Sequence, residues 1–500
     1  MKHSLASLLS NHRVVAIVDN QFGDTGKGKM VDLMTEWADI IARGTGGDNA
    51  GHTVYHNARR YTLHVLPSGI LRADGKLNVI GSGVALNPRT ACQEIDGLTQ
   101  AGVSCDSLRI AYNAKLVLPQ HVLVDHLKNQ PGVLDRIGTT KRGIGPAYRD
   151  HYDRNGLIVN DLFNPDILAP KVQRNVASLL PFLRHSDPAV VKEVMMHELL
   201  EQGRFYRPDT VLDVAAIVEC YRDWGKRLQP FIGDTDHLVR TSLAQGKRIL
   251  LEGAQGLLLS IDYGTYPYVT ASDCSIRGLT RGVGLPEGAV DFTLGVTKAF
   301  YMTRVGEGPL PTELGGVSSA TWCGQPRADR TTEALLYATA SLNSDDPFQQ
   351  GVAIRRIGDE YGATTGRPRR IGWLDLPLLR YAVRHHGPQL ALTKVDVLDE
   401  CDTIQVCMAY IYRGPPRYWA GAHLQPSDHI TCAIVDPDIL RYCEPVYRRF
   451  TGWRAQTSEL ISSTELPPAL EELITCVERE CEARVRLISV GPDREQTVYR

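Results

Sequence analysis

The stretch "VVAIVDNQFGDTGKGKMVDLMTEWADII" (14–41) constrains the fold more than any other part of the chain. Its first six residues are an apolar, β-branched run of the kind that forms a strand buried on both faces of a parallel sheet. A glycine loop follows, and Met30, Leu33, Met34, Trp37 and Ile41 then recur at helical spacing. Strand, glycine loop and helix in that order is the setting of a phosphate cradle. Successive N–H groups there form an anion nest, and the helix N-terminus adds partial positive charge. The loop nevertheless departs from G-x-x-x-x-G-K-[ST], because Gly28 follows Lys27 where a magnesium-binding hydroxyl would stand. Lys27 would supply a point charge at the β- and γ-phosphates. Asp24 would repel a phosphate, and it makes sense there if it faces Mg²⁺ or takes a proton from a second substrate.

The segments "RILLEGA" (248–254) and "LALTKVDVL" (390–398) read as further buried strands, the second after an amphipathic helix around 374–384. Alternation of this kind predicts an α/β fold with a large, mostly parallel central sheet flanked by helices. Residues from about 164 to 248 read as mainly helical. Residues from about 315 to 360, polar and rich in Ser, Thr and Gly, read as an irregular inserted excursion. Lys and Arg (55) nearly cancel Asp and Glu (57), so no overall field favours nucleic acid or an acidic membrane, and an anionic ligand must be held by local clusters. The eleven cysteines form no C-x-x-C or metal-like cluster, which points to reduced thiols. The N-terminal apolar run is too short for a signal-peptide core, and no window approaches eighteen apolar residues. The expectation is a soluble cytoplasmic protein.

Other loops carry candidate chemistry. In "GTGGDNAGHT" (44–53), His52 is suited to act as an acid or as a donor to a developing oxyanion, and the Gly51 carbonyl is a hard ligand for Mg²⁺. In "TKVD" (393–396), the Asp396 carboxylate can accept both N1–H and the exocyclic amine of guanine, while the Lys394 stem lies along the ring. That favours GTP over ATP. "GATTGRPRRIGW" (362–373) places Arg367, Arg369 and Arg370 behind a Thr/Gly loop, and guanidinium forks bind carboxylates and phosphates bidentately. "IGTTKRGIGPAYRDHYDRNG" (137–156) offers Thr140 with basic side chains, and "EGAQGLLLSIDYGTYPYVT" (252–270) offers Gln255 and Thr270. These residues describe a Mg²⁺-dependent α/β enzyme using a guanine nucleotide and a carboxylate-bearing or phosphorylated second substrate. A kinase, a ligase and a GTPase switch all remain open at this level.

Taken together and in order, the segments resemble the adenylosuccinate synthetase family, which joins IMP and aspartate at the expense of GTP. The family's loop G-x-Q-W-G-D-E-G-K-G-K is matched by "NQFGDTGKGK" (20–29). "NAGHT", "GTTKRGIGPAY", "EGAQG", "GTYPYVT", "TRVGEGPLPTEL", "GATTGRPRR", "LTKVDVLD" and "SVGPDR" follow. The resemblance runs from about residue 14 to 495. It implies a single catalytic domain over 1–500, with a fold related to P-loop NTPases. It implies Asp24 as the base on IMP N1, His52 as hydrogen-bond donor on the phosphate side, Lys27 as neutralising charge and Gln255 as a fourth catalytic group, by way of 6-phosphoryl-IMP. Mg²⁺ would sit on Asp24 and the Gly51 carbonyl. GTP would be held by Gly23, Thr25, Gly26, Lys27, Gly28, Lys29 and Thr53, with Arg369, Lys394, Val395, Asp396, Ser489, Val490 and Gly491 around the base. IMP would be held by Asn49, Ala50, Thr140, Gln255, Thr270 and Arg367, and L-aspartate by Ala363, Thr364, Thr365, Gly366, Arg367 and Arg369. Arg154 matches an arginine that reaches into the neighbouring subunit's IMP site, which implies a homodimer.

The chain departs from the family pattern at several positions. Thr25 replaces Glu, Phe22 replaces Trp, Lys141 replaces Gly, Ala271 replaces Ser and Asp273 stands where Asn is common. Pro368 splits the arginines, and the 315–360 excursion is longer than usual. Thr25, Ala271 and Asp273 motivate an alternative, a paralogue acting on another purine monophosphate such as dGMP or GMP. The departures together motivate another, a nucleotide-binding regulator that has lost catalysis.

Overall fold

In the computed structural model, which describes residues 5–56, 59–72, 75–130, 132–133, 136–362 and 366–500, the strand Val14–Asp19 is buried along its whole length. It lies sixth in a ten-stranded sheet. From one edge the order is Ile232–Gly233, Leu108–Ala111, Leu77–Ile80, Ile40–Arg43, Ile249–Glu252, Val14–Asp19, Phe292–Lys298, Gln389–Thr393, Arg484–Ser489 and Thr497–Tyr499. All pairings are parallel except the last. Val14 and Ala16 face Ile249 and Leu251 in register, and Val15 and Asp19 face Phe292 and Val296. The expected mostly parallel α/β sheet is therefore present. One consequence positions the site: the carboxyl ends of nine strands open on the same edge, where loops can converge on a ligand.

Two elements differ from their expected extents. The helix after the glycine loop stops at Thr35 (Lys27–Thr35), although the helical spacing continued to Ile41. Ile40–Arg43 is a strand instead, because the N–H groups of Asp39 and Ile40 both bond the Arg248 carbonyl and draw the chain onto Ile249–Glu252. Tertiary pairing outweighs a helical periodicity that Trp37 satisfies merely by being buried. The strand Gln389–Thr393 likewise ends before Lys394, whose left-handed φ of +58° turns the chain into the short 3₁₀ helix Val395–Leu398.

The 164–248 region forms the helices Pro165–Arg184, Pro188–Met195, Val214–Leu228 and Thr235–Ala244, with the small hairpin of Tyr206–Arg207 and Val211–Leu212 between them. Leu168, Val172 and Ile217 of these helices share a core with Leu108 and Ile110 of the sheet. The 315–360 segment, irregular by its composition, contains three helices: Gly316–Cys323, Arg330–Leu336 and Pro347–Ile357. Its turn-like Asp329 and Asp346 are N-caps that accept from Thr332 and Phe348 N–H. A second sheet, built on Tyr301–Arg304, Arg370–Asp375 and Thr403–Tyr412, packs beyond it. All eleven cysteines are free and ten are buried. Among the described residues, no helix is long and apolar enough to cross a membrane.

Candidate active site

The loops that leave the carboxyl ends of the central strands surround a cavity of about 630 Å³. It is lined by Gly23, Asp24, Gly26, Lys27, Gly28 and Lys29 from the first loop, and by Asn49, Ala50, Gly51, His52 and Thr53 from the second. Thr140, Gln255, Thr270, Arg369, Lys394, Asp396, Ser489 and Gly491, also expected, line it too. Segments far apart in the chain thus meet because parallel strands deliver them to one edge.

In the first loop Gly23, Asp24 and Gly26 have φ of +85°, +57° and +90°. Left-handed residues in close succession turn main-chain N–H groups toward one side, and the N-terminus of Lys27–Thr35 adds its dipole. Asp24, the one residue of the three with a side chain, is of a type that visits this conformation, and its carboxylate is ion-paired: Arg369 Nε lies 2.9 Å from Oδ2. Burial works to raise the Asp24 pKa, but the charges of Arg369, Lys298 and Lys27 outweigh it and hold the carboxyl below its ordinary range. Arg369 is itself fixed by a buried hub at Glu360, which accepts from Arg369 Nη1 (2.6 Å), Lys298 Nζ (2.8 Å), Tyr301 OH (2.7 Å) and Lys394 Nζ (3.0 Å). Burial opposes ionisation of Glu360, and the three cations reverse that, keeping it ionised well below the carboxylate range. Glu360 and Lys298 are absent from the residues expected to matter. Glu360 closes the 315–360 segment, so that segment returns a charge to the site.

His52 Nδ1 is bonded to Glu252 Oε1 at the end of the strand Ile249–Glu252. Glu252 also accepts from Ser68 N–H and Oγ, each at 2.7 Å. Burial opposes its ionisation, but His52, Arg43 and the Ser68 bond bring its pKa below normal. An ionised Glu252 can only accept, so Nδ1 carries the proton and Nε2 is the ring's free polar atom. Burial lowers the His52 pKa despite Glu252. Beside it, Gln255 Nε2 donates to Asn49 Oδ1 (3.2 Å) and Asn49 Nδ2 to Thr270 Oγ1 (3.4 Å). This row leaves Gln255 Oε1 buried without a partner, an acceptor that fits a ligand donor.

At the far end, Asp396 Oδ1 is likewise buried and unpartnered, which suits the N–H edge of a base. Lys29, on the cavity wall, is engaged by protein groups. It donates to Ser489 Oγ (2.7 Å), Gly491 O (2.7 Å) and Gln496 O (2.8 Å), and so pins the 489–496 turn against the loop. Burial lowers its pKa to about 7. Among the described residues no cluster of three or more His, Cys, Asp or Glu side chains stands ready for a metal. Mg²⁺ needs none, since it commonly takes one or two protein ligands with substrate phosphates and water. An ionised Asp24 and the Gly51 carbonyl, both on the cavity wall, fit that requirement.

Some expected residues lie elsewhere. Thr25 is fully buried and turns its hydroxyl to Asp19 Oδ2 (2.6 Å) rather than to the cavity. Val395 and Val490 are core residues, which leaves their main chain to a ligand. Arg154 is exposed, outside the cavity, with φ of +61°. Gly366 and Arg367 are exposed, and Ala363, Thr364 and Thr365 lie outside the described residues. Phe22 packs under the Arg304 guanidinium, 4.2 Å from its ring centre. Asp273 Oδ1 accepts from Ser260 Oγ and Ser275 N–H, whereas Ala271 lines the cavity.

A glycine loop between a central parallel strand and a helix N-terminus, opening on a cavity of buried acceptors and paired charges, defines an α/β protein with a phosphate-type loop. The particular family follows from comparison. The adenylosuccinate synthetase family model matches residues 16–498. Adenylosuccinate synthetase of Heliobacterium modesticaldum is 38% identical over 97% of this chain and 98% of its own. That of Caldicellulosiruptor bescii is 38% identical over 98% and 99%. The fully ligated adenylosuccinate synthetase of Plasmodium falciparum superposes with a TM-score of 0.77 at 30% identity, covering 98% of this chain and all of the other. The chain belongs to the adenylosuccinate synthetase family, whose members are ligases. Succinoaminodeoxyadenylate synthetase of cyanophage S-2L, at 18% identity and a TM-score of 0.53, shares the fold.

Proposed function

We propose that the chain joins IMP and L-aspartate into adenylosuccinate, consuming GTP, as a step of AMP biosynthesis. The observation that carries the reading is Asp24: an ionised carboxylate on the cavity wall, in the phosphate loop, half-buried and paired with Arg369. Asp24 takes the N1 proton of IMP, and the electron pair moves to the 6-oxygen. That oxygen attacks the γ-phosphorus of GTP, the bond to the β-bridging oxygen breaks, and GDP leaves. The aspartate amine then adds at C6 of the 6-phosphoryl intermediate, phosphate departs with the C–O bond pair, and the amine proton is released. Lys27 and the main-chain N–H groups of the loop meet the charge that develops on the transferring phosphate. His52 is oriented by Glu252 with Nε2 free, and a neighbouring phosphate favours the protonated ring, so it donates there. Mg²⁺ held by Asp24 and Gly51 would neutralise phosphate charge.

Gln255, Asn49 and Thr270 suit the IMP face, and Asp396 with Lys394 suits guanine. The exposed Arg154 suits a homodimer in which each subunit completes the other's IMP site. One position favours a second reading, activity on another purine monophosphate: Ala271 lines the cavity. Thr25 and Asp273, its other motives, are turned onto protein groups. Purified protein given GTP, Mg²⁺ and aspartate should form adenylosuccinate, followed by absorbance, with IMP preferred over dGMP and GMP. Preference for a guanine nucleotide would establish the second reading, and GTP binding without product from any purine would leave only a regulator. Asp24→Asn and His52→Asn should each lower kcat by about a hundredfold or more while the protein stays folded. Retained activity would remove the residue from its role.

A further inference from the structure

The phosphate-loop lysine does not rest free in the cavity. Lys27 is 3% exposed, and its Nζ lies 2.9 Å from Asp19 Oδ2, on the last residue of the central strand. The same oxygen accepts the Thr25 hydroxyl at 2.6 Å, and Oδ1 accepts the Gln21 N–H at 2.8 Å. The carboxylate is thus enclosed by the loop it precedes. Thr25 is locked in turn, since its carbonyl accepts from Thr393 Oγ1 at 2.6 Å, at the end of the strand Gln389–Thr393. Room for the carboxylate comes from Gly256, where a Cβ would lie 2.6 Å from Asp19 Oδ1. In the loop pattern G-x-Q-W-G-D-E-G-K-G-K the places of Asp19 and Thr25 carry glycine and glutamate. This chain therefore has one carboxylate in the pair of positions, as the pattern does, but on the strand instead of in the loop.

We infer that Asp19 is the positioning residue of Lys27, a counter-charge relocated from the loop to the strand and steadied by the Thr25 hydroxyl. A buried ammonium needs a partner. Without a ligand, Asp19 is that partner, and it aims Nζ along one direction. When a polyphosphate arrives, it competes with Asp19 for the same charge. Asp19 thereby weakens ground-state anion binding and improves the alignment of Lys27 for transfer. Its removal should separate the two effects, tightening binding while slowing turnover.

The inference rests on the proposed use of GTP only for its turnover arm. Wild type, Asp19→Asn and the charge-relocating pair Asp19→Asn with Thr25→Glu are compared in kcat, KM for GTP and calorimetric affinity for inorganic tripolyphosphate. Asp19→Asn should lower kcat about tenfold and bind tripolyphosphate at least about threefold more tightly, and the double variant should return both to within about threefold of wild type. A mere packing defect would move neither affinity nor rescue. Unchanged kcat and affinity in Asp19→Asn, lost kcat with unchanged or weaker affinity, or a double variant no better than the single would overturn the inference. If the single variant does not fold, the double decides alone. A soluble double with kcat within about tenfold of wild type supports the relocation, and an insoluble or inactive one refutes it. If wild type itself makes no adenylosuccinate, the functional reading falls, while the tripolyphosphate arm still tests Asp19.

Discussion

His52 is useful only because another residue sets its tautomer. Glu252, ionised and already accepting from Ser68, accepts from Nδ1–H and leaves Nε2 as the free ring nitrogen. Glu252→Gln keeps the shape but offers an amide that can present either end to the ring. We expect kcat to fall about a hundredfold or more, as for other orienting carboxylates, with KM for GTP and the thermal midpoint little changed. Steady-state kinetics with a melting curve checks this; a parallel loss of stability and activity would make Glu252 a structural residue. Asp24, Lys27, Asn49, Gln255 and Thr270 were legible in the chain because each sits in a short glycine-rich motif whose chemistry is local. Glu252 stood in such a motif too, as the first letter of "EGAQG", but its meaning depends on a histidine two hundred residues away. Asp19, Glu360 and Lys298 carried no signal. Each acts on a cavity residue through space, and nothing in their neighbours along the chain announces it.

The helix Lys27–Thr35 and the strand His52–His56 must touch for His52 and Lys27 to share a cavity. Gly28 makes the approach possible: a Cβ there would stand 2.9 Å from Thr53 O and 3.4 Å from His52 Cβ. Both partners are main chain or its first side-chain atom, so neither can swing aside. Gly28→Ala should cost about 1–3 kcal/mol by overpacking, and should reduce turnover by moving His52. Chemical denaturation and kinetics check it; a variant with unchanged stability and rate would show that the strand yields freely. The same glycine explains why the post-lysine hydroxyl of ordinary phosphate loops is absent, since that position has no room for a side chain. Helix and strand periods located most elements but not their ends. Helical spacing overran Thr35 because Trp37 and Ile41 are buried for reasons unrelated to helix, and Asp329 and Asp346 read as loop residues because capping residues and loop residues have the same composition.

Across the whole molecule, four buried histidines, His52, His121, His126 and His386, have their pKa values lowered by burial, to about 3 for His126 and His386. Their unfolded value is about 6.5. Below that pH the unfolded chain takes up protons that the folded chain refuses, so the histidine contribution is fully present above about 6.5 and is lost as pH falls toward the folded values. At pH 5 each of His126 and His386 should cost about 2 kcal/mol. Denaturant midpoints should fall between pH 7 and 5, and His386→Gln should flatten the slope by about one proton. An unaltered slope would mean His386 is not refusing a proton. Arg154 belongs at this scale too. In the proposed homodimer, Arg154→Leu and Asp24→Asn chains are each inactive alone. Mixed and allowed to exchange, they should recover about a quarter of wild-type activity, because half the dimers are hybrids and each hybrid has one intact site. No recovery despite subunit exchange would confine Arg154 to its own subunit.

The order of motifs along the chain determined the family, the phosphate loop and most of the cavity wall, because glycine loops, buried strands and guanidinium clusters do their chemistry within a few residues. What only the tertiary structure decided is which charges face each other. Parallel strands bring Glu252 to His52 across 200 positions, while the folding of single loops brings Asp19 to Lys27 and Glu360 to Arg369 across 8 and 9. Burial then makes each pairing obligatory, since an ammonium, imidazole or carboxylate removed from water must find its partner inside the protein.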